Sequence, residues 1–349
     1  MMLRMFKKQW IRYFYFIGGT RILATLSHHY QWDKNNGLKG LRRRRIKSYY
    51  ILRYHRVNQE EDPFSIEAIH PNLFEKQMAY IRRHYSVMPL DDMLRRSEEK
   101  ALPWNSIAVT FDDGYHDNYA VAFPILKKFR IPATIFLTTG SIGGGQILWF
   151  DRVLRAFKQT KKSRLEIDGF PKPLLWKTIK EKADAAIWTL KFLRGIPEKA
   201  KDKSFRAIID SLEVDEDSSD SNLMLNWDQV RELHKQGILF GSHTVTHPIL
   251  SQCDEGVVLS ELVVSKRMIE ERINDEINSF AYPSGRSSDL SEFVIENVKR
   301  GGYRFAVTIG RGANDEGEDL FRLRRNAPWS ENIPQFAFNL AYSKMMKKD

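Results

Sequence analysis

The feature that most constrains the fold is an alternation of short apolar runs and helical patterns that begins at residue 49. Residues 49–54, 106–110 and 133–137 are short, aromatic and β-branched, which is typical of buried strands. Apolar residues recur with helical spacing between and after them, over 72–83 and 117–129. This order of strand, helix and strand predicts parallel βαβ units.

The alternation stops at about residue 150 and resumes near residue 228. Residues 150–220 are rich in Lys, Leu, Trp and Ala, and they predict a helical insertion that ends in an acidic, solvated loop over 213–220. About seven β/α units over residues 49–345 predict an α/β fold, namely a distorted (β/α)7–8 barrel. In such a barrel the loops at the C-terminal ends of the strands carry the site.

The first 48 residues form a basic N-terminal arm. They hold twelve Lys and Arg residues and one acid, so they account for the whole net charge of +11, and the remaining chain is neutral. Residues 9–27 are aromatic but interrupted by basic residues, and no run reaches the roughly 18 apolar residues of a membrane span.

We interpret the arm as an amphipathic segment that binds an anionic membrane surface. A solvated or body-packed arm is the alternative. The neutral body argues against nucleic acid as a partner. We expect a cytoplasmic protein, peripheral at the inner membrane face, with export as the alternative.

Two carboxylates, Asp112 and Asp113, directly follow one of the predicted strands and precede Gly114. Neighbouring strand residues point to opposite faces, but the backbone can bend at the end of a strand and bring both carboxylates to one cavity. Taken alone, an Asp-Asp-Gly sequence more often forms an Asx turn or a helix cap.

Two histidines, His243 and His247, follow a later strand with a spacing of four residues. On one helical turn this spacing places both imidazoles on one face, close enough to share a metal. Together with Asp113 they supply the three ligands of a catalytic metal site that leaves one position for water. Asp112 then remains free to take a proton from that water. Such a set of groups can hydrolyse an amide or an ester.

Four segments carry a specific resemblance. They are residues 109–114 (VTFDDG), 242–248 (SHTVTHP), 280–285 (FAYPSG) and 54–57 (YHRV). With these motifs the chain resembles the polysaccharide deacetylases that share the NodB-homology domain (carbohydrate esterase family 4). It is most similar to the branch related to poly-N-acetylglucosamine deacetylases. The resemblance implies a distorted barrel, a divalent metal ion and removal of acetyl groups from a glycan.

The resemblance also implies roles for individual residues. Asp112 corresponds to the general base, and the metal ligands correspond to Asp113, His243 and His247. The metal is expected to be zinc, with cobalt, nickel or manganese as alternatives. The substrate groove is implied to include Tyr282, Pro283, Ser284 and Gly285.

Two family features are missing from the sequence. The third motif has Ala281 and Tyr282 where most members have an arginine that orients the base, and residues 320–328 lack the usual histidine acid. We therefore predict that His55 acts as the acid or oxyanion donor and that Arg325 orients the base. The alternatives are a capped strand-end histidine and a surface arginine.

Trp149 follows the loop after the third strand and is predicted to stack on a sugar ring, with a core position as the alternative. The leading functional hypothesis is a metal-dependent glycan deacetylase that acts on an N-acetylhexosamine. A hydrolase of a non-glycan amide is a second hypothesis, and a catalytically silent glycan-binding or scaffold protein is a third.

Overall fold

The structure is a computed structural model, and it describes residues 11, 30–32, 41–43 and 47–343 except 60–61, 66, 145 and 216–221. Most of the basic arm, including the aromatic segment predicted over 9–27, therefore lies outside the described residues. Tyr30–Trp32 pairs antiparallel with Leu41–Arg43. No helix in the part of the chain that the structure describes combines the length and the apolar character that a membrane span requires.

Eight strands of the described chain form one curled sheet. They are β1 (Ser48–Tyr54), β2 (Ser86–Val87), β3 (Ser106–Phe111), β4 (Ala133–Leu137), β5 (Leu239–Ser242), β6 (Ser279–Ala281), β7 (Phe305–Val307) and β8 (Asn314–Asp315). Their order is β7-β6-β5-β4-β3-β1-β8, with β2 beside the start of β3, and all pairs are parallel except β8 with β1. Every residue of β3 and β4 is buried, because helices cover the outer face of a parallel sheet.

A short segment, residues 323–326, joins the two ends of this sheet. Leu323 forms a parallel bridge with Val307 of β7, and Asn326 forms one with Leu52 of β1. The backbone N–H of Asn326 donates to the carbonyl of Ile51 at 2.8 Å. The sheet therefore closes on itself, and the predicted distorted (β/α) barrel is confirmed.

Ten α-helices of the described ranges surround or extend the barrel. They are α1 (Pro71–His84), α2 (Leu90–Glu98), α3 (Phe123–Phe129), α4 (Trp149–Gln159), α5 (Ile179–Arg194), α6 (Glu198–Leu212), α7 (Trp227–Lys235), α8 (Glu255–Ile273), α9 (Glu292–Arg300) and α10 (Ile333–Ser343). A π-helical turn, Asn118–Ala122, leads into α3. The helices between barrel strands bury one apolar face each, as Phe74, Met78 and Ile81 do in α1.

Helices α4, α5 and α6 occupy the range of the predicted helical insertion, and they have an apolar core of their own. Phe157, Leu193 and Phe205 belong to this second core, which is distinct from the barrel core. The insertion is fastened to the loop after β5, because Glu198 of α6 accepts a hydrogen bond from the N–H of Ile249 at 2.9 Å.

Candidate metal centre and active site

The C-terminal ends of the parallel strands bring the predicted site residues together. His55 follows β1, Asp112 and Asp113 follow β3, and His243 follows β5. Asp113 has a left-handed backbone with φ of 73°, so the chain turns directly after Asp112 and both carboxylates reach one cavity. Gly114 continues the turn with φ of 87°, and a Cβ there would lie 2.7 Å from the Leu137 side chain.

Asp113, His243 and His247 lie close enough to bind one metal ion. Asp113 Oδ1 is 3.6 Å from His243 Nε2 and 3.7 Å from His247 Nε2. Ligand atoms about 2.0–2.2 Å from one tetrahedral ion lie about 3.4 Å from one another. The three residues form a metal-compatible cluster in the described part of the chain.

The hydrogen bonding of Asp113 supports the presence of a cation. Its Oδ1 is buried and has no hydrogen-bond partner among the described residues. A buried carboxylate oxygen without a donor is costly unless a positive charge meets it. One carboxylate and two imidazoles are also the ligand types that zinc and similar divalent ions accept. The residues present therefore fit a divalent metal ion.

The two histidines are held in the form that binds metals. His243 Nδ1 lies 2.7 Å from the carbonyl oxygen of Ala281, so Nδ1–H donates and the lone pair of Nε2 points to Asp113. Burial lowers the pKa of His243 to about 4 and holds the pKa of His247 well below its usual value. Both imidazoles are therefore neutral at pH 7, as ligands must be.

The backbone between the two histidines differs from the prediction. The sequence spacing predicts one helical turn, and this is wrong, because residues 243–247 form a loop in which Thr244 and His247 have φ of 70° and 61°. The two rings are nevertheless 4.8 Å apart, measured between centroids. A tight left-handed loop gives the same proximity that a helical turn would give.

Glu261 of α8 holds this loop in place. Its buried carboxylate accepts hydrogen bonds from the N–H groups of Val245 and Thr246 at 2.7 and 2.9 Å. It also accepts one from the Thr246 hydroxyl at 2.7 Å. Hydrogen bonds to a charged acceptor are roughly twice as strong as neutral ones. Glu261 therefore stabilises the unusual backbone that places His243 and His247.

Arg325 forms a bidentate ion pair with Asp112. Its two terminal nitrogens donate to Asp112 Oδ1 and Oδ2 at 2.6 and 2.7 Å, and its Nε donates to the carbonyl of Thr308. Arg325 is 1% exposed, so the surface-charge alternative is wrong. Burial alone would raise the pKa of Asp112, but the Arg325 guanidinium and the nearby imidazoles hold it well below its usual value.

His55 faces the same cavity from the end of β1. Its Nε2 lies 3.8 Å from Asp112 Oδ2, and its Nδ1 lies 2.7 Å from Glu67 Oε2. Burial opposes protonation, yet the Glu67 carboxylate, with Asp112 and Asp113 behind it, raises the pKa of His55 above 6.5. His55 in turn lowers the pKa of Glu67 to about 2, against the effect of burial. The Glu67 carboxylate thus favours the protonated form of the imidazole that lies beside Asp112.

The family can be decided from the sequence match. A profile of the polysaccharide deacetylase family matches residues 99–186 and 198–306, which is more than half of the chain. This protein belongs to the polysaccharide deacetylase family. The matched segments include the aspartate pair and the histidine pair described above.

Individual relatives agree with this membership. The chain is 21% identical over 254 residues to the Bacillus subtilis protein YxkH, which carries a polysaccharide deacetylase name, and covers 62% of that protein and 72% of this chain. It is 30% identical over 133 residues to the poly-beta-1,6-N-acetyl-D-glucosamine N-deacetylase of Staphylococcus epidermidis, covering 46% of that protein and 34% of this chain. The chain thus spans less than two thirds of the length of these curated relatives.

Solved structures show the same fold. The Streptococcus pyogenes deacetylase PplD, solved in complex with acetate, matches with a TM-score of 0.57 and 22% identity over 86% of this chain and 99% of that one. IcaB from Ammonifex degensii matches with a TM-score of 0.55 and 19% identity over 86% and 98%. At these identities the likeness supports the barrel fold.

The cavity around these residues has a volume of about 390 Å³ and is lined by barrel and insertion residues. Trp149 and Tyr282 line it, as does Ser284. Trp149 also packs on the insertion core, with the ammonium group of Lys201 4.8 Å from its ring centroid. Trp149 therefore combines both predicted positions, on the cavity and against the core.

Pro283 and Gly285 are not among the residues that line the cavity, and their part in the substrate groove stays a prediction. Both belong to the loop after β6, and both are buried. Gly285 has φ of 53°, and a Cβ there would lie 3.0 Å from the carbonyl oxygen of Tyr282. Gly285 therefore permits the turn that presents Tyr282 and Ser284, and the carbonyl of Gly285 accepts from the N–H of Ile309.

Sequence reasoning missed several acidic residues around the candidate metal site. Glu67 and Glu261 are single acids far from the motifs in sequence, and no local pattern marks them. Asp151 accepts a hydrogen bond from the Tyr115 hydroxyl at 2.9 Å, and burial raises the pKa of Asp151 to about 6. The sequence offered one indication of a role for Asp151, namely its position in the first turn of α4, two residues after Trp149.

Proposed function

We propose that this protein is a metal-dependent hydrolase that removes acetyl groups from a glycan, with an N-acetylhexosamine as the acetylated unit. One observation carries the proposal. The unpartnered Oδ1 of Asp113 lies between two neutral histidine nitrogens, beside the ionised Asp112 that Arg325 orients. Family membership and the printed name of the staphylococcal relative support the choice of an acetylated glycan.

Asp113, His243 and His247 would hold the metal, with zinc as the first expectation and cobalt, nickel or manganese as alternatives. When bound, a divalent cation supplies Lewis-acid polarisation and lowers the pKa of water to about 7. Asp112 accepts a proton from the attacking water at one of its carboxylate oxygens. Arg325 fixes the plane of this carboxylate, so Asp112 is already oriented towards the water before the reaction begins.

His55 would supply the second proton transfer, to the carbonyl oxygen or to the departing nitrogen. The Glu67 carboxylate raises the pKa of His55 and so favours the protonated form, and the same carboxylate lies 2.7 Å from Nδ1 and orients the ring. Nε2–H therefore points towards the cavity, where it can donate to the carbonyl oxygen or to the departing nitrogen. The amine leaves with that proton, and acetate is the second product.

Acetate release from N-acetylated chito-oligosaccharides by zinc-reconstituted protein tests this function, with Asp112→Asn as the base-deficient control. Loss of a general base lowers the rate by about 10²–10⁴-fold. Equal release by the two proteins would exclude Asp112 as the base. Zinc binding without release from any glycan, but with release from small amides, would favour the non-glycan hydrolase. Absence of both zinc binding and release would favour the silent scaffold.

We also propose that the basic arm, residues 1–48, holds the deacetylase at an anionic membrane surface on the cytoplasmic side. The support is the charge distribution, because the arm carries the net charge of +11 and the body is neutral. Removal of residues 1–46 should abolish sedimentation with liposomes that contain anionic lipid, and pure phosphatidylcholine liposomes serve as the control. Liposome binding that persists after the deletion would show that the arm is not the membrane-binding segment.

A further inference from the structure

One wall of the deacetylase cavity carries an excess of positive charge. Lys191 and Arg194 of α5 and Arg286 of the loop after β6 line the same cavity as the metal-ligand cluster. Hydrolysis of a neutral acetamide uses none of these cations. We define this wall, Lys191, Arg194 and Arg286, as the cationic wall.

The helix presents these charges to the cavity through its periodicity. Ile187, Leu190, Lys191 and Arg194 all line the cavity, and their spacing of three, one and three residues defines one helical face. The first half of this face is apolar, and the second half is basic. The charges therefore face the cavity because Lys191 and Arg194 lie on the same face of α5 as Ile187 and Leu190.

Only part of this charge is neutralised by acids. Arg194 forms an ion pair with Asp289 at 2.7 Å, and both side chains are largely buried. Within the described residues no ion pair joins Lys191 or Arg286 to an acid, although exposed Lys and Arg elsewhere on the surface often have one. Arg53, a fourth cation of the cavity lining, lies 3.7 Å from Glu67.

The cations of this wall also repel one another. Arg194 and Arg286 are neighbours, because the Asp289 oxygen that binds the Arg194 guanidinium also accepts a hydrogen bond from the backbone N–H of Arg286 at 3.2 Å. Burial lowers the pKa of Arg194, Asp289 opposes this, and the charge of Arg286 lowers it again. Asp289 carries one negative charge against the three positive charges of the wall, so a further anion at this wall would be attracted.

We propose that the cationic wall is a subsite for an anionic group, a phosphate or a carboxylate, carried by the acetylated glycan close to the sugar that is deacetylated. This inference rests on the proposed deacetylase function and narrows its substrate class. Guanidinium groups bind phosphate and carboxylate oxygens in a bidentate manner, and an ammonium group adds a point charge. The hydroxyl groups of a neutral glycan can accept single hydrogen bonds from these cations, but they form neither ion pairs nor bidentate contacts.

Three substrates test the proposal on zinc-loaded, full-length protein. They are a neutral N-acetylated disaccharide, its reducing-end phosphate, and the corresponding disaccharide with a uronic acid as the second sugar. Because hydrogen bonds to charged groups are strong, we expect kcat/KM to be about 10- to 100-fold higher for an anionic substrate than for the neutral disaccharide. The difference should come mainly from a lower KM. The anion that is preferred, phosphate or carboxylate, identifies the natural source of the charge.

The double variant Lys191→Gln/Arg286→Gln should lose this preference for the anionic substrate. The matched control, Lys180→Gln/Arg304→Gln, removes the same charge from exposed positions outside the cavity lining and should keep the preference. Raised ionic strength should weaken the preference in the wild-type protein and leave the double variant unchanged.

Binding of glucose disaccharides that lack the acetamide gives a readout independent of turnover. Calorimetry should show tighter binding of the phosphorylated or uronate form than of the neutral form, and the double variant should abolish the difference. Equal binding of all three forms, or a preference that survives in the double variant, would overturn the proposal. Hydrolysis of the neutral substrate in that case would leave the deacetylase function standing. Charge-selective binding without any hydrolysis would support the subsite and contradict the deacetylase function.

Discussion

The ion pair of Arg325 with Asp112 allows a sharp test of how the site is built. Replacement of Arg325 by methionine leaves Asp112 as a buried charge without its main partner. The two side chains are 0% and 2% exposed, so most of the compensation for the Asp112 charge comes from the guanidinium. Loss of one partner from a buried ion pair costs about 3–5 kcal/mol of folding free energy.

The reverse change, Asp112→Asn, leaves the guanidinium of Arg325 buried and equally uncompensated. The double variant Asp112→Asn/Arg325→Met contains neither charge. Its destabilisation should therefore fall short of the sum of the two single changes by about 2–3 kcal/mol, near the upper end for coupled residues. A simple loss of packing volume would not produce this shortfall.

Urea unfolding at pH 7 in the presence of a chelator measures these free energies without a contribution from metal bound to Asp113. The pKa of Asp112 is depressed, so the pair contributes its full stability above the pKa of an unfolded aspartate. This contribution is lost as the pH falls through the native pKa. At pH 7 it is fully present.

A matched cycle on the same segment serves as the control. Arg322 is 39% exposed and forms an ion pair with Glu292, so Arg322→Met combined with Glu292→Gln should show a coupling below about 1 kcal/mol. Destabilisations of the Asp112 and Arg325 variants that add within about 0.5 kcal/mol would refute the buried-pair reasoning.

Three further changes test the groups around the metal site. Glu67→Gln removes the main charge that raises the pKa of His55, so the decline of kcat/KM at high pH should move to lower pH; a pH profile that does not move would remove His55 from the proton transfer. Glu261→Gln weakens the acceptor of three hydrogen bonds in the histidine loop and should weaken zinc binding about 10- to 100-fold in equilibrium dialysis, whereas unchanged affinity would show that the loop holds itself. Chelation should lower the Tm of the wild-type protein but not that of Asp113→Asn, and equal shifts in the two proteins would place the metal elsewhere.

The barrel and the metal cluster were predictable because their signals are local. Strands β3 and β4 are buried on both faces, so they appear in the sequence as continuous apolar runs. Asp112, Asp113 and the two histidines directly follow such runs, and the C-terminal ends of parallel strands share one edge of the barrel.

The supporting residues were not predictable, because their partners are distant in sequence. Glu261 is fifteen residues from Thr246, on the next helix, and nothing in its surroundings distinguishes it from a solvated acid. Histidine spacing also predicted a helical turn where two left-handed residues form a loop. Non-glycine residues adopt φ > 0 only when the tertiary structure stabilises it, and the spacing of two histidines carries no such information.

The segment that closes the barrel also has a consequence for the order of events during synthesis. Residues 323–326 complete the sheet, and Arg325 within them reaches Asp112 across a sequence separation of 213 residues. During synthesis Asp112 therefore leaves the ribosome long before its guanidinium partner. Closure of the barrel and pairing of Asp112 happen together, so we expect a nascent or truncated chain that lacks residues 323–326 to have neither a closed sheet nor an oriented Asp112.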